Sequence, residues 1–451
     1  MAQPSPSYTV ALHLEVPASQ KAVTTLVDTA SATGAIVNGV DVADTDGDTL
    51  VVDLTADTRD SKHRAELVEA LGAIDGVVVH NVGDSTFMAH VGGKISTASK
   101  YPIHNRRDLA RVYTPGVARV CKAIYDHPER ARQLTIKKNT VAVVTDGTAV
   151  LGMGDIGPSA AMPVMEGKAV LFKQFGDVDA WPVALDTKDP EEIISIVKAI
   201  APAYGGINLE DISAPRCFEI EERLRAELDI PVFHDDQHGT AIVVLSALIN
   251  ALKIVGKKIE DVRIVVSGVG AAGNAIIRLL LAQGARDIIG CGRDGALSGD
   301  DTEGMHPSRK ALAEATNPRH VHGSLKEVLK GADVFIGVSS GNILDPSDVE
   351  TMADDAIVFA LANPTPEVDP IGAAKYAAVV ATGRSDYPNQ INNVLAFPGL
   401  FRGLLDAKVK EITTEVLRVA SVAIASVISE DELSPSYIIP GAFDKRVAPA
   451  V

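Results

Sequence analysis

Residues 206–241 carry two pairs of adjacent carboxylates, Glu210 with Asp211 in INLEDIS and Asp235 with Asp236 in PVFHDDQHGTA. The second pair ends a short apolar run (Ile230, Val232, Phe233) and precedes an apolar helical stretch, Ala241 to Val255. Charge wedged between a buried strand and a buried helix is costly unless something pairs it. About 25 residues, roughly one helix and one strand, separate the pairs, which places both at the same sheet edge. Three or four carboxylate oxygens with no cysteine or clustered histidine select a hard cation, Mg²⁺ or Mn²⁺, over zinc. His234 and His238 flank the aspartates, but HDDQH lacks the HExxH spacing of a zinc site, so both read as surface or hydrogen-bonding groups. Glu210 and Asp211 by themselves also fit the dipole of the next helix, with Ser213 as its N-cap and Pro215 in its first turn.

Lys168 lies in PVMEGKAVLFKQFG, a glycine-marked apolar run. A lysine there either snorkels or does chemistry. Burial would depress its pKa and let it act as a base near neutral pH. Tyr113, in YTPGVA, is expected at a strand-to-helix turn, where it packs or donates a proton.

A third motif is Gly268-Val269-Gly270-Ala271-Ala272-Gly273, a GxGxxG turn between the strand RIVVS and the helix NAIIRLLLAQG. In that setting a dinucleotide pyrophosphate sits on free N–H groups at the helix start. The next strand, DIIGC, ends Cys291-Gly292-Arg293-Asp294. Gly292 with Arg293 favours a 2′-phosphate, while Asp294 can reach a 2′-hydroxyl, so NAD and NADP both stay open.

The elements that must hold these groups are those of an α/β chain. Residues 8–92 follow a ferredoxin-like βαββαβ order: strand Tyr8–Val16, helix Ser19–Ala32, strands Ala35–Val42 and Thr49–Ala56, helix Asp60–Leu71 and strand Gly76–Val82. The glycine- and serine-rich HVGGKISTASK reads as a linker. A second domain, 100–235, has strands at Val141–Val144 and Trp181–Leu185 and helices near Asp189–Ala201 and Pro215–Leu228. A third, 236–385, alternates short apolar strands with helices, the pattern of a doubly wound parallel sheet. The tail, 386–451, is helical over Phe397–Ser429 and is expected to pack back on the second domain.

Composition narrows the partners. At 451 residues, 46% hydrophobic and 22% charged, the chain has the make-up of an ordinary globular protein. A net charge of −17 argues against nucleic acid or an anionic membrane, though a local site could still hold an anionic metabolite. Three scattered cysteines suit a reducing cytoplasm. The start, MAQPSPSYTV, lacks a signal-peptide pattern, and no apolar run reaches the roughly 18 residues of a membrane span.

Taken in order, YTPGVARVC, TDGTAVLGMGDIG, PVMEGKAVLFK, INLEDI, FHDDQHGTA, SGVGAAG, ALANPTPE and INNVLAFPGL resemble malic enzyme, in its small bacterial branch, over Tyr101 to about Ile428. The N-terminal unit resembles an ACT domain, which occurs in some bacterial members. Amino-acid-binding ACT domains usually carry a glycine in the first strand–helix loop, which here reads VPAS. A packing or dimerisation module is therefore weighed beside an effector site.

The family resemblance implies a malate-oxidising, decarboxylating enzyme that uses NAD or NADP and a divalent cation, and forms a dimer or larger homo-oligomer. It implies Glu210, Asp211 and Asp236 as metal ligands, Lys168 as general base, Tyr113 as general acid and Asp235 as the partner of Lys168. Gly268, Gly270, Ala271, Gly273 and Arg293 would hold the nucleotide, and Asn363 and Asn393 would lie near substrate and nicotinamide. Larger members carry an arginine where this chain has Thr148-Ala149, which leaves Arg111 or the N–H groups of Thr114–Gly116 to clamp the malate carboxylate. Rival readings are an oxaloacetate decarboxylase or malolactic-type enzyme on the same scaffold, an amino-acid dehydrogenase, and an inactive binding module.

Overall fold

The computed structural model describes residues 3–451 and divides into two units, Met1–Thr97 and Ala98–Val451. In the first, β1 (Ser5–Pro17) alternates buried Val10, Leu12, Leu14 and Val16 with more exposed neighbours, the period of a sheet covered on one face. Helix Ala22–Ala32 buries Ala22, Leu26 and Ala30, and helix Ser61–Gly72 buries His63, Leu67 and Leu71. Each set repeats every fourth residue and so forms one stripe. With β2 (Ile36–Asp46), β3 (Thr49–Thr58) and β4 (Val78–Asp84) the sheet runs β2-β3-β1-β4, antiparallel throughout. That is the ferredoxin-like arrangement.

The second unit holds two parallel sheets. The first comprises β5 (Thr140–Thr145), β6 (Asp179–Ala184), β7 (Gly206–Leu209) and β8 (Val232–His234), in the order β6-β5-β7-β8. Every residue of β5, β7 and β8 is buried, as expected for strands covered on both faces. The other sheet comprises β9 (Arg263–Ser267), β10 (Asp287–Gly292), β11 (Gly295–Ala296), β12 (Val334–Gly337), β13 (Ala356–Ala360) and β14 (Ala377–Thr382). Its order is β11-β10-β9-β12-β13-β14, parallel except for the β10–β11 pair.

Helix Thr240–Val255 joins the sheets and is buried on nearly every side, so its side chains share one core with Val141 and Phe233 of the first sheet and Ile264 of the second. Counted from Asp235 it runs 21 residues, and length and composition alone would let it cross a membrane. Its burial inside the fold marks it instead as a core helix.

The C-terminal helices divide between two supports. Phe397–Ala407 lies on Pro158–Gly176, with the Phe172 ring centroid 4.6 Å from that of Phe397 and 5.2 Å from that of Phe401. Thr414–Ser426 packs instead on Thr240–Val255, where Asn250 Nδ2 donates to the carbonyl of Ala425 at 2.9 Å. The apolar stripe of a helix does not name the surface it will cover.

Phe172 is fully buried at the centre of the phenylalanine cluster. Phe172→Ala is expected to destabilise the second unit by about 3–5 kcal/mol. Chemical denaturation checks this, and an unchanged midpoint would contradict it.

Candidate active site: a carboxylate cluster around a buried lysine

Strands β7 and β8 are adjacent and parallel, with Leu209 opposite His234. Glu210–Asp211 and Asp235–Asp236 therefore leave the sheet side by side at its carboxyl end, where open α/β sheets bind ligands. Asp211 adopts a left-handed backbone (φ 54°), which turns its N–H to Asp236 Oδ2 at 2.9 Å. Asp235–Gly239 forms a π-helical turn ahead of helix Thr240–Val255. Such turns recur at functional sites because the extra residue re-aims side chains. Gly239 is required here, since a Cβ at that position would lie 2.0 Å from Asp235 Oδ1.

Lys168 projects from the middle of helix Pro158–Gly176 and is buried. Its Nζ donates to Asp235 Oδ2 at 2.6 Å, stands 2.9 Å from Glu210 Oε1 and lies 4.4 Å from the Phe397 ring centroid. Asn393 Nδ2 donates to the same Asp235 oxygen, and Asn208 Nδ2 donates to Glu210 Oε2 at 2.8 Å.

One ammonium faces four carboxylates, and the cluster keeps an excess of negative charge. Burial disfavours the charged lysine, but Asp235 and Glu210 outweigh it and hold Lys168 above the ordinary lysine value. The expected depression of this pKa is thus reversed in the protein alone, because ion pairing exceeds desolvation. Burial, then Asp236, pushes the Asp211 carboxyl up to about 8. Asp211 Oδ2 and Asp235 Oδ1 are buried without hydrogen-bond partners. Glu210, Asp211 and Asp236 each present an oxygen within 4.8 Å of the others. An all-oxygen donor set with an orphaned acceptor and surplus negative charge fits a hard divalent cation.

The glycine-rich turn lies in the same unit, between β9 and helix Ala271–Gln283. Gly268 has φ +97°, and a Cβ there would meet Val338 O at 2.5 Å. A Cβ on Gly273 would lie 1.8 Å from Gly268 O, whereas Gly270 faces open space. Two glycines thus close the turn and the middle one leaves room for a ligand to approach the backbone. Gly270 and Ala271 begin a helix with no side-chain cap, so its first N–H groups are free for an anion. Arg293 is exposed just beyond β10.

Other expected residues stand elsewhere. Tyr113 terminates helix Arg106–Val112 and leads into Val117–Asp126, a helix-to-helix connection rather than a strand-to-helix turn. It is 68% exposed, and its hydroxyl makes no hydrogen bond to the lysine cluster among the described residues. The clamp expected from residues 114–116 is weakened, since Gly116 N–H donates to Ala110 O at 2.7 Å and Pro115 has no N–H. Asn363 is exposed, with its amide against Gly383 and not against the lysine cluster. Ser213 does not cap the following helix; Pro215 holds that position, and Ser213 Oγ accepts from Arg216 at 3.2 Å. His234 is fully buried with its Nδ1 3.7 Å from Asp236, and His238 Nε2 lies 2.8 Å from buried Glu221.

Three contributors escaped the sequence reading. Asn208 was accessible in principle, because it lies two residues before Glu210 and shares its face of the strand. Phe397 and the ion pair of buried Asp146 with half-buried Arg216 (2.9 Å) carry no local signal, since their partners are distant in the chain.

Comparison with known proteins shows the family. Residues 92–225 match the malic enzyme N-terminal domain and residues 237–446 the malic enzyme NAD binding domain. The chain is 59% identical to an NAD-dependent malic enzyme of Geobacillus stearothermophilus over 96% of its length and 91% of the relative's. It is 55% identical to a bifunctional malic/malolactic enzyme of Bacillus subtilis (strain 168), over 80% of this chain and 88% of the other. Among solved structures, an NAD-dependent malic enzyme from Thermotoga maritima superimposes with a TM-score of 0.78 at 49% identity, covering 82% of this chain and 97% of that one. With both family domains matched and identity sustained across nearly its whole length, the chain belongs to the malic enzyme family.

Proposed function

We propose that this enzyme oxidises (S)-malate and decarboxylates it to pyruvate and CO₂, with reduction of NAD⁺ or NADP⁺. The observation that carries the reading is the Asp235–Lys168–Glu210 arrangement, a buried proton-carrying group bonded to carboxylates with unspent acceptor capacity. Glu210, Asp211 and Asp236 would hold Mg²⁺ or Mn²⁺. When bound, the cation lowers the pKa of the malate C2 hydroxyl and stabilises enolate charge, while the nicotinamide accepts the hydride.

The remaining work falls to the chain's own side chains. With Glu210 engaged as a ligand, Lys168 keeps Asp235 as its one counter-charge, and burial then counts for more against the ammonium. Lys168 takes the hydroxyl proton as hydride leaves C2. Asp235, fixed by Lys168 and Asn393, aims the amine. After CO₂ departs from the β-keto acid, Tyr113 protonates C3 and Lys168 restores the proton balance. The exposure of Tyr113, together with Tyr101, Leu109, Val112 and Tyr125 nearby in the chain, supports a homo-oligomer in which a second copy covers this segment. The N-terminal unit is read as ACT-like, a packing module or an effector site.

Lys168→Ala is expected to cut malate oxidation about 100- to 10,000-fold while leaving dinucleotide binding intact. Nicotinamide absorbance with malate and Mn²⁺ measures the first and ligand fluorescence the second; near-normal turnover would remove Lys168 as the base. The same assay without net nicotinamide reduction, but with pyruvate or lactate formed, would favour the decarboxylase or malolactic alternative.

Asp211 adds a pH dependence. Its folded-state pKa of about 8 lies above the ordinary 3.8, so the metal-free protein retains a proton there at neutral pH. The stability this contributes is fully present below about pH 4 and is lost as pH rises through about 8. A bound cation must displace that proton. Mn²⁺ affinity is therefore expected to rise up to about tenfold per pH unit and level off above about pH 8, with proton release seen by calorimetry in two buffers. A pH-independent affinity would contradict it.

A further inference from the structure

The nucleotide preference can be read from what stands over the end of β10. In dinucleotide folds that use NAD, an acidic side chain at this strand end accepts from the ribose 2′-hydroxyl. Here the position is Gly292, and the space a side chain would occupy is filled from elsewhere. A Cβ on Gly292 would lie 2.6 Å from Arg309 Nη2 and 3.7 Å from Val269 Cγ2. Val269 belongs to the glycine-rich turn, so the Arg309 guanidinium lies between that turn and the strand end, the neighbourhood of the adenosine ribose.

Arg309 reaches this place from the first turn of helix Pro307–Ala315. Among the described residues its guanidinium donates no hydrogen bond, and its Nε is buried without a partner. Its one ionic neighbour is Asp294 Oδ2 at 3.7 Å, on a side chain 90% exposed. A pair that loose and that wet contributes little and does not saturate a five-donor group. The arrangement is a planar cation with free donors beside a glycine, where a carboxylate would otherwise stand. Its chemical complement is a phosphate monoester, which a guanidinium binds with charge-assisted, often bidentate, hydrogen bonds.

We propose that Arg309, aided by exposed Arg293, recognises the 2′-phosphate of NADP, and that Gly292 is retained to make room for it, so that this enzyme prefers NADP over NAD. The proposal rests on the reading of the glycine-rich turn as the dinucleotide cradle. It separates this chain from the Geobacillus relative, whose name specifies NAD.

Binding alone tests it, without malate, metal or turnover. The full chain is titrated with NADPH, NADH, 2′,5′-ADP and 5′-AMP by fluorescence and calorimetry. The expected result is tighter binding of NADPH than NADH and of 2′,5′-ADP than 5′-AMP. Arg309→Ala should weaken the two 2′-phosphorylated ligands roughly 10- to 100-fold and leave NADH within about twofold. Arg309→Lys should fall between, and Gly292→Asp should reverse the order. Retained NADH affinity shows that each variant is folded; if Arg309→Ala lacks it, Arg309→Gln replaces that variant. NADH binding tighter than NADPH in the natural chain, or an equal loss for both nucleotides in the Arg309 variants, overturns the proposal. Failure of the natural chain to bind either nucleotide overturns the cradle reading as well, which tells the two failures apart.

Discussion

Four carboxylates gathered around one buried ammonium are an unstable composition unless the surrounding structure imposes it. Glu210, Asp211, Asp235 and Asp236 would repel one another and seek water if the chain allowed it, and most of the architecture of the second unit serves to prevent that. The β7–β8 register places the two pairs together, the left-handed turn at Asp211 ties its N–H to Asp236, and Gly239 leaves space for the Asp235 carboxylate. Lys168 offsets part of the charge and Asn208 and Asn393 spend some of the lone pairs. Asp211 Oδ2 and Asp235 Oδ1 remain buried without hydrogen-bond partners, and the first belongs to the oxygen set of Glu210, Asp211 and Asp236 that would suit a hard cation.

The same constraint explains the single core that runs through both sheets. A cluster that stores repulsion needs rigid supports, and Thr240–Val255 supplies one by beginning at the aspartates and burying itself between the sheets. Pro158–Gly176 supplies another, held by the Phe172–Phe397–Phe401 contacts directly beside Lys168. Because Phe397 and Phe401 come from the C-terminal segment, the lysine's environment depends on residues more than two hundred positions away in the chain. Stability and site geometry are coupled here through shared side chains rather than through a separate scaffold.

Much of the fold is legible in the sequence. The alternation of short apolar strands with helices after residue 236 corresponds to the second sheet, because fully buried parallel strands leave short apolar runs bounded by turn residues. The N-terminal βαββαβ order was equally plain, since one-sided burial leaves period-two and period-four stripes. Less legible were features set by a few degrees of backbone. The π-turn at Asp235–Gly239, the helix-to-helix connection at Tyr113 and the cap at Pro215 depend on how neighbouring elements meet, and periodicity does not report that.

By itself, the sequence singled out the groups proposed to carry the chemistry: the two carboxylate pairs, Lys168 and the glycine-rich turn. Residue type and local spacing are covalent properties, so they survive without a fold. Tertiary structure decided the state and the company of those groups. The direction of the Lys168 pKa turned on whether burial or ion pairing was stronger, and that balance depends on distances of 2.6 and 2.9 Å to residues far along the chain. Likewise the strand end at Gly292 was readable, but the cation beside it was not, because Arg309 comes there from a separate helix, Pro307–Ala315. Electrostatic energies fall with distance in space rather than in sequence, which is why the second kind of fact had to wait for the structure.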